Sequence, residues 1–406
     1  MRTIVRNIGS IVTPVLDRKG VAHIEEYRNR DIIIHNGKIE SIVSENAAHM
    51  DTGDFRVIDA EQSVIAPGFV DSHTHILYCG NRTKEFYMRL AGKSYLDILK
   101  EGGGILNTVG ETRKCSAEGL VRETLPRILN AVSNGTTTME IKTGYGLDRE
   151  NELKMLHAAK LIRERDTVRV VITALPLHAI PEGKREGDYV SEALDTILPE
   201  MTADSDFLDI FCDSGSFSPE SLMKLGQFAQ LKKIPLRVHS GEIANIGCVK
   251  ASINYEISSY DHILHIDDED IAIMREKKAF ATILPVTAFV LGEKMPGPRK
   301  LLDAGIRVSI GTDSSPLNPC QNMLFAQYLS VRYCGMTPEE AFISSTINPA
   351  VSLGQGESVG SIEEGKYADM VMLNVKEMDD IPFMWDSGIV REVLHNGNVT
   401  FRSETY

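Results

Sequence analysis

The chain has 406 residues, of which 42% are hydrophobic and 25% charged, and its formal net charge is −14. That composition is typical of globular proteins, and no run approaches the 18 consecutive apolar residues of a membrane span. The acidic balance argues against a broad nucleic-acid-binding face, but it does not oppose an anionic substrate met by a buried arginine. The opening MRTIVRNIGSIVTP lacks the apolar core and small-residue cleavage site of a secretory signal. Six cysteines, at 79, 115, 212, 248, 320 and 334, form no C-x-x-C pair. That spacing argues against a disulfide framework; the thiols are expected to be small core residues in a reducing cytoplasm.

Residues 1–65 read as short strands and turns. In "DIIIHNGKIESIV" two apolar runs flank Asn36-Gly37, a pair suited to a tight hairpin. From about 66 to 354, apolar strands alternate with helices. "TLPRILNAVSNG" leads to "TTTMEIKTG", and "NELKMLHAAKLIRER" to "VRVVITALPLH". Ser218-Pro219-Glu220 opens a helix running toward Lys233 before "IPLRVHSGE". "DHILHI", "AFATILP" and "RVSIGTD" read as further strands, and Thr337 to Glu340 forms a capping box. Seven or eight such units favour a closed parallel barrel over an open doubly wound sheet, and neither G-x-G-x-x-G nor a P-loop follows a strand. Residues 355–406 return to strands, with a second turn at Asn396-Gly397. The expected fold is a (β/α)8 TIM-like barrel at 66–354 with a small β-sandwich domain assembled from 1–65 and 355–406.

The polar residues collect where such a barrel keeps its chemistry, at the C-terminal ends of strands. His73 and His75 in "DSHTH" share one face of the chain. His178 follows "VVITALPL", His239 follows "IPLRV", His262 begins "HILHI", and Asp313 ends "RVSIG". Any one of these could be a satisfied core or surface residue; together they make a metal site. His73, His75 and His239 would supply neutral nitrogens and Asp313 an anionic oxygen to one divalent ion, with water completing the shell. Glu242, in "HSGE", is placed to accept and pass on a proton, although a helix-capping role is the plain alternative. His262 would orient the water or steady a developing oxyanion. Asp71 is expected to support a ligand rather than bind. Lys142 would suit a second metal only if carbamylated, and one metal is the preferred reading.

The blocks "PGFVDSHTHILYCGNRTKEF", "SYLDILKEGGGILNTV", "EIKTGYGL", "LHAIP", "VHSGEI" and "TDSSP" resemble imidazolonepropionases of the amidohydrolase superfamily. His-x-His marks only the superfamily, whereas the Gly-Asn-Arg, triple-glycine and Lys-Thr-Gly-Tyr-Gly blocks are narrower. The resemblance implies hydrolysis of 4-imidazolone-5-propanoate to N-formimino-L-glutamate in histidine degradation. It also implies a zinc or iron ion on His73, His75, His239 and Asp313, and a homodimer. It gives Arg82 the substrate's propanoate, Tyr145 and His178 further contacts with Tyr95 nearby, and Glu242 and His262 the water and the ring. Gly102-Gly103-Gly104 would form a close-approach loop. After Asp313 the family shows an Asn-Pro-Gly-Ser or Asn-Pro-Gly-Thr type of segment, where this chain has Ser314-Ser315-Pro316-Leu317-Asn318-Pro319. Ser315 and Asn318 are the residues there that could replace the missing contacts. Two other readings stand beside this one: a deaminase of a heteroaromatic base, for which Arg82 has little use, and a non-catalytic scaffold barrel, which would need an incomplete ligand set.

Overall fold

The computed structural model describes residues 2–45, 55–93 and 103–404; Tyr95 and Gly102 lie outside the described residues. Seven strands come first: β1 (Arg2–Arg6), β2 (Ser10–Leu16), β3 (Ala22–Tyr27), β4 (Arg30–His35), β5 (Lys38–Ser44), β6 (Phe55–Asp59) and β7 (Val64–Pro67). The barrel strands follow as β8 (Phe69–Asp71), β9 (Thr136–Lys142), β10 (Arg169–Leu177), β11 (Phe207–Cys212), β12 (Leu236–Ser240), β13 (Ile257–His262), β14 (Phe280–Ile283) and β15 (Val308–Ile310). Three more, β16 (Met370–Leu373), β17 (Val390–His395) and β18 (Asn398–Arg402), end the chain.

β8 to β15 form one eight-stranded parallel sheet in chain order, the arrangement that alternating strands and helices dictate. Its two edges meet through the parallel bridge Thr74–Ser314. The barrel thus closes just beyond the strand ends, between the segments that carry His75 and Asp313. The terminal strands make a four-stranded sheet, β5-β4-β1-β6, and a six-stranded sheet, β18-β17-β16-β7-β2-β3, in which β7 pairs with β16 from the far end of the chain. Ile11, Ile32, Ile34 and Ile65 share one buried cluster with Ile362, Met370, Met372 and Leu394. Burial of these apolar surfaces joins the two chain ends.

Both hairpin turns form as read: Asn36 and Gly37 connect β4 to β5, Asn396 and Gly397 connect β17 to β18, and all four have positive φ, as a type I′ turn requires. Ser218 caps its helix with Pro219 at the first position, and the Thr337–Glu340 capping box is complete. The helix read from Thr124 begins at Ala117 instead, capped by Ser116. The strand containing His262 also differs from its sequence reading. It runs Ile257–His262 rather than through "HILHI", because its inward face carries the polar Ser259 and Asp261, which pair with buried Thr282 and Arg237 on the two neighbouring strands.

The cysteines overturn the expectation of free thiols. Cys79 is bonded to Cys115 and Cys212 to Cys248, while Cys320 and Cys334 are free. Spacing along the chain does not reveal such pairs, since it is the path of the chain beyond β8 and the pairing of β11 with β12 that bring each Cys to its partner over 36 residues. The cysteine argument for a reducing compartment therefore falls. No helix among the described residues is long and apolar enough to cross a membrane.

An ionic latch, buried at His395 and Asp369 and open to solvent at Asp166, joins the terminal sheets to the barrel at the end opposite the strand C-termini. His395, at the end of β17, has Nδ1 3.1 Å from Asp369 and Nε2 3.0 Å from Asp166. Asp369 also meets Arg169 of β10 at 3.2 Å. Burial opposes a charge on His395, but Asp369 and then Asp166 outweigh it and raise its pKa. A group raised in the folded state stabilises fully below its unfolded pKa, and that contribution fades as pH rises through the folded value. The melting-temperature gap between the protein and His395→Gln should therefore be widest below about pH 6 and narrow on going alkaline. A gap independent of pH would count against the ionic role.

Candidate active site

β8 ends at Asp71, and the chain then runs extended beside the segment after β15. His75 donates its amide N–H to Ser314 O at 2.9 Å, and Asp313 donates its own to His73 O at 3.0 Å. The approach is close: a Cβ on Gly311 would stand 2.9 Å from that of His73. The two segments thus lock together where the barrel closes, and their side chains face β12. His75 Nε2 lies 3.2 Å from His73 Nε2 and 3.1 Å from His239 Nε2. Asp313 Oδ1 is 3.7 Å from Nε2 of both His73 and His75. All four side chains are nearly or fully buried.

Each outer nitrogen explains the inner one. His73 Nδ1 stands 2.8 Å from Asp261 Oδ2, and His239 Nδ1 stands 3.0 Å from Asp209 Oδ2. An ionised carboxylate only accepts, so each Nδ1 carries a proton and each ring turns its Nε2 into the cavity, although Asp209 raises the pKa of His239 against burial. Burial holds His73 and His75 well below 6.5, assisted at His73 by the Lys142 charge and at His75 by neighbouring imidazoles. Lone pairs and a carboxylate this close repel one another unless a cation lies among them. The donor set fits a divalent metal.

Beneath the cluster lies a dry ionic layer. Lys142 Nζ is 2.7 Å from Asp209 and 2.9 Å from Glu140, and Arg237 is 3.1 Å from Glu140 and 3.2 Å from Asp261. All five side chains are fully buried. Three carboxylates against two cations leave the layer with an excess of negative charge, which favours a cation above it. These five were not picked out as ligand supports from the sequence, although a signal existed. Glu140 and Lys142, like Arg237 and His239, sit two apart in otherwise apolar strands and so share the inward face.

The remaining groups surround the cavity. His178 stacks on His75, with ring centroids 4.6 Å apart, and its Nδ1 is 3.1 Å from Gly144 O. Tyr145 is buried, with its ring 5.3 Å from His178 and 6.2 Å from His75. Its pKa is raised by burial first and then by the Asp313 charge, with Arg82 opposing. His262 Nε2 is 3.7 Å from Glu242 Oε2, and its ring lies 5.3 Å from His239. Glu242 follows β12 in an irregular loop, not at a helix start, so the capping alternative does not apply. Burial pushes its carboxyl up to about 7. His262 and Asp313 both hold the left-handed backbone conformation, with φ of 73° and 52°, which costs about 1–3 kcal/mol each for such residues and is characteristic of functional sites. At Asp313 the conformation is enforced: Thr287 donates to Oδ2 at 2.6 Å, and Asp71 accepts from the Thr312 amide at 3.0 Å and hydroxyl at 2.5 Å.

Residues 64–400 match the Amidohydrolase family. Over 401 residues, 98% of each chain, the protein is 42% identical to an imidazolonepropionase of Thermoplasma volcanium. It is 43% identical to one of Thermoplasma acidophilum over 380 residues, 94% of this chain and 91% of that relative. The chain belongs to the imidazolonepropionase family. Among solved structures, a guanine deaminase from C. acetobutylicum with bound guanine superposes with a TM-score of 0.74 at 17% identity, covering 99% of this chain and 100% of that one. That second likeness is one of fold.

Arg82, which the family resemblance implies at the substrate, has a partner within the protein, and so have Ser315 and Asn318 of the departing segment. Arg82 donates from Nε and Nη2 to Glu85 Oε2 at 2.8 and 2.5 Å, which leaves the Nη1 side of its guanidinium for another anion. Glu85 also accepts the Gly104 amide at 3.0 Å and so ties the Gly-Asn-Arg block to the glycine run. In the segment that departs from the imidazolonepropionase pattern, Asn318 is buried. It donates its side-chain N–H to Thr312 O at 2.8 Å, Asp313 O at 3.2 Å and Thr287 at 3.1 Å. Ser315 is paired with Asn318 through the backbone.

Proposed function

We propose that this protein opens the ring of 4-imidazolone-5-propanoate with water and yields N-formimino-L-glutamate, the hydrolysis that serves histidine degradation. The supporting observation is the convergence of His73 and His239 on His75, with Asp313 3.7 Å from both His73 and His75, in a chain more than 40% identical, over nearly its whole length, to proteins of that name. His73, His75, His239 and Asp313 would hold one zinc or iron ion. Such an ion, when bound, lowers the pKa of water and polarises a carbonyl. The pairing of Lys142 with three carboxylates supports one metal rather than two.

The protein's own groups divide the rest of the work. The water oxygen adds to the ring carbonyl carbon, and the bond from that carbon to the ring nitrogen breaks. Glu242 receives the water's proton, with Asp313 steadying the charge beside it, and delivers it to the departing nitrogen, which requires a carboxyl able to hold a proton near neutrality. His262, neutral because burial lowers its pKa to about 4, orients the water and faces the developing oxyanion. Arg82 grips the propanoate with its remaining edge, while Tyr145 and His178 wall the ring. Ser315 and Asn318 act through Asp313 by fixing its loop. In this reading residues 66–354 are the hydrolase domain, and 1–65 with 355–406 are the small domain that braces it.

The test is an assay on freshly generated imidazolone propanoate, with metal analysis of the same sample. Loss of the ring chromophore, with formiminoglutamate formed and about one metal per chain, is expected. Ammonia release from guanine, adenosine or cytosine-like bases, with no ring opening, would overturn the reading.

A further inference from the structure

The Glu242 loop carries no regular secondary structure, yet Glu242 must be held against His262. Three consecutive amides of that loop are gathered by one carboxylate from the neighbouring strand end. Asp213 Oδ2 accepts the N–H of Glu242 at 2.7 Å and of Ile243 at 3.1 Å, while Oδ1 accepts the N–H of Ala244 at 2.9 Å. Asp213 is itself 1% exposed and directly follows β11. Its Oδ1 also accepts from Ser214 N at 2.7 Å. On the chain before it, Cys212 is bonded to Cys248 at the far side of the loop, so strand end and loop are joined at two places. Gly241 fixes the near side: its φ is 65°, and a Cβ there would stand 2.5 Å from His265 O.

We propose that Asp213 is a positioning residue that sets the Glu242 carboxyl for proton transfer without touching the substrate. This inference rests on the proton-carrying role given above to Glu242. The physical basis is charge-assisted: an ionised carboxylate accepts several N–H groups at once, and no neutral side chain of that size does so. In Asp213→Asn one oxygen becomes a donor facing amide donors, and the loop loses its anchor while the cavity keeps its volume.

The experiment is a double-mutant cycle with metal content and melting temperature measured on every sample. Asp213→Asn should lower kcat about 10- to 100-fold, the range typical of outer supporting groups, with KM and bound metal near those of the parent. Added to Glu242→Gln, it should lower kcat by less than about twofold further, because both changes remove the same proton carrier. If Asp213→Asn does not accumulate as folded protein, Asp213→Glu replaces it. That variant keeps the charge but overshoots the amides by a methylene, and it should also lower kcat through Glu242. Parental kcat in the Asp213 variants alongside an inactive Glu242→Gln would overturn the inference and leave the role of Glu242 standing. A full further loss in the double mutant would also overturn it. Parental activity in Glu242→Gln would overturn the assignment of Glu242, and this inference with it.

Discussion

Asp313→Asn should lose bound metal and lower kcat/KM by about 10³-fold or more, because the anionic member of the ligand set carries several kcal/mol of charge stabilisation. Asparagine isolates that charge. It tolerates the left-handed backbone that Asp313 adopts, and it can still accept the Thr287 hydroxyl bond. Three imidazoles would remain within reach of one another with no anion on the side of their Nε2 atoms that Asp313 now occupies. Burial already pushes the Asp313 carboxyl above its ordinary range, so an ionised oxygen here owes its charge to a cation. The variant should fold as well as the parent when metal is withheld, since burial then favours the neutral form of the Asp313 carboxyl, which the amide matches in size and lack of charge. Metal analysis, melting curves and turnover on one preparation check all three expectations. Parental metal content with parental turnover would remove Asp313 from the ligand set.

Glu242→Gln should keep its metal and lower kcat by about 10²- to 10⁴-fold, the usual worth of a general acid–base group. The proposed ligand atoms belong to other residues, and glutamine preserves side-chain size and the loop's backbone bonds to Asp213. The pH profile supplies the sign. Burial pushes the Glu242 carboxyl up to about 7, with Asp213 and Glu293 adding to the shift and His239 opposing it. Accepting the water's proton requires the ionised form, so kcat/KM should rise with pH along an acid limb set by this group. A bound cation nearby draws that limb to lower pH. The limb should be absent from the residual activity of Glu242→Gln. An unchanged limb in that variant would assign it to another group.

Much of this could be read from the residues alone. Strand and helix periodicity gave the parallel barrel, because each inward side chain repeats at two and each helical face near 3.6. Asn36-Gly37 and Asn396-Gly397 announced their turns, because left-handed backbone at both positions is cheap only for such residues. That His73, His75, His239 and Asp313 stand near one another beyond the strand ends was legible, because polar groups ending apolar strands are conspicuous and barrels gather that end. His262 was found with its strand misplaced, since the polar Ser259 and Asp261 broke the apolar signal.

The chain's local pattern therefore determined the barrel, the terminal sheets' turns and the residue types available for catalysis. Tertiary structure alone decided what those residues do to one another. It stationed Asp209 and Asp261 behind the imidazoles, enclosed Lys142 among carboxylates, gathered the Glu242 loop onto Asp213 and paired four cysteines. It also set Asp71 against Thr312 across 241 residues. Periodicity reports which way a side chain faces within its own element. Hydrogen bonds between groups so far apart depend on how strands are ordered and how the barrel closes, which no window of neighbouring residues encodes.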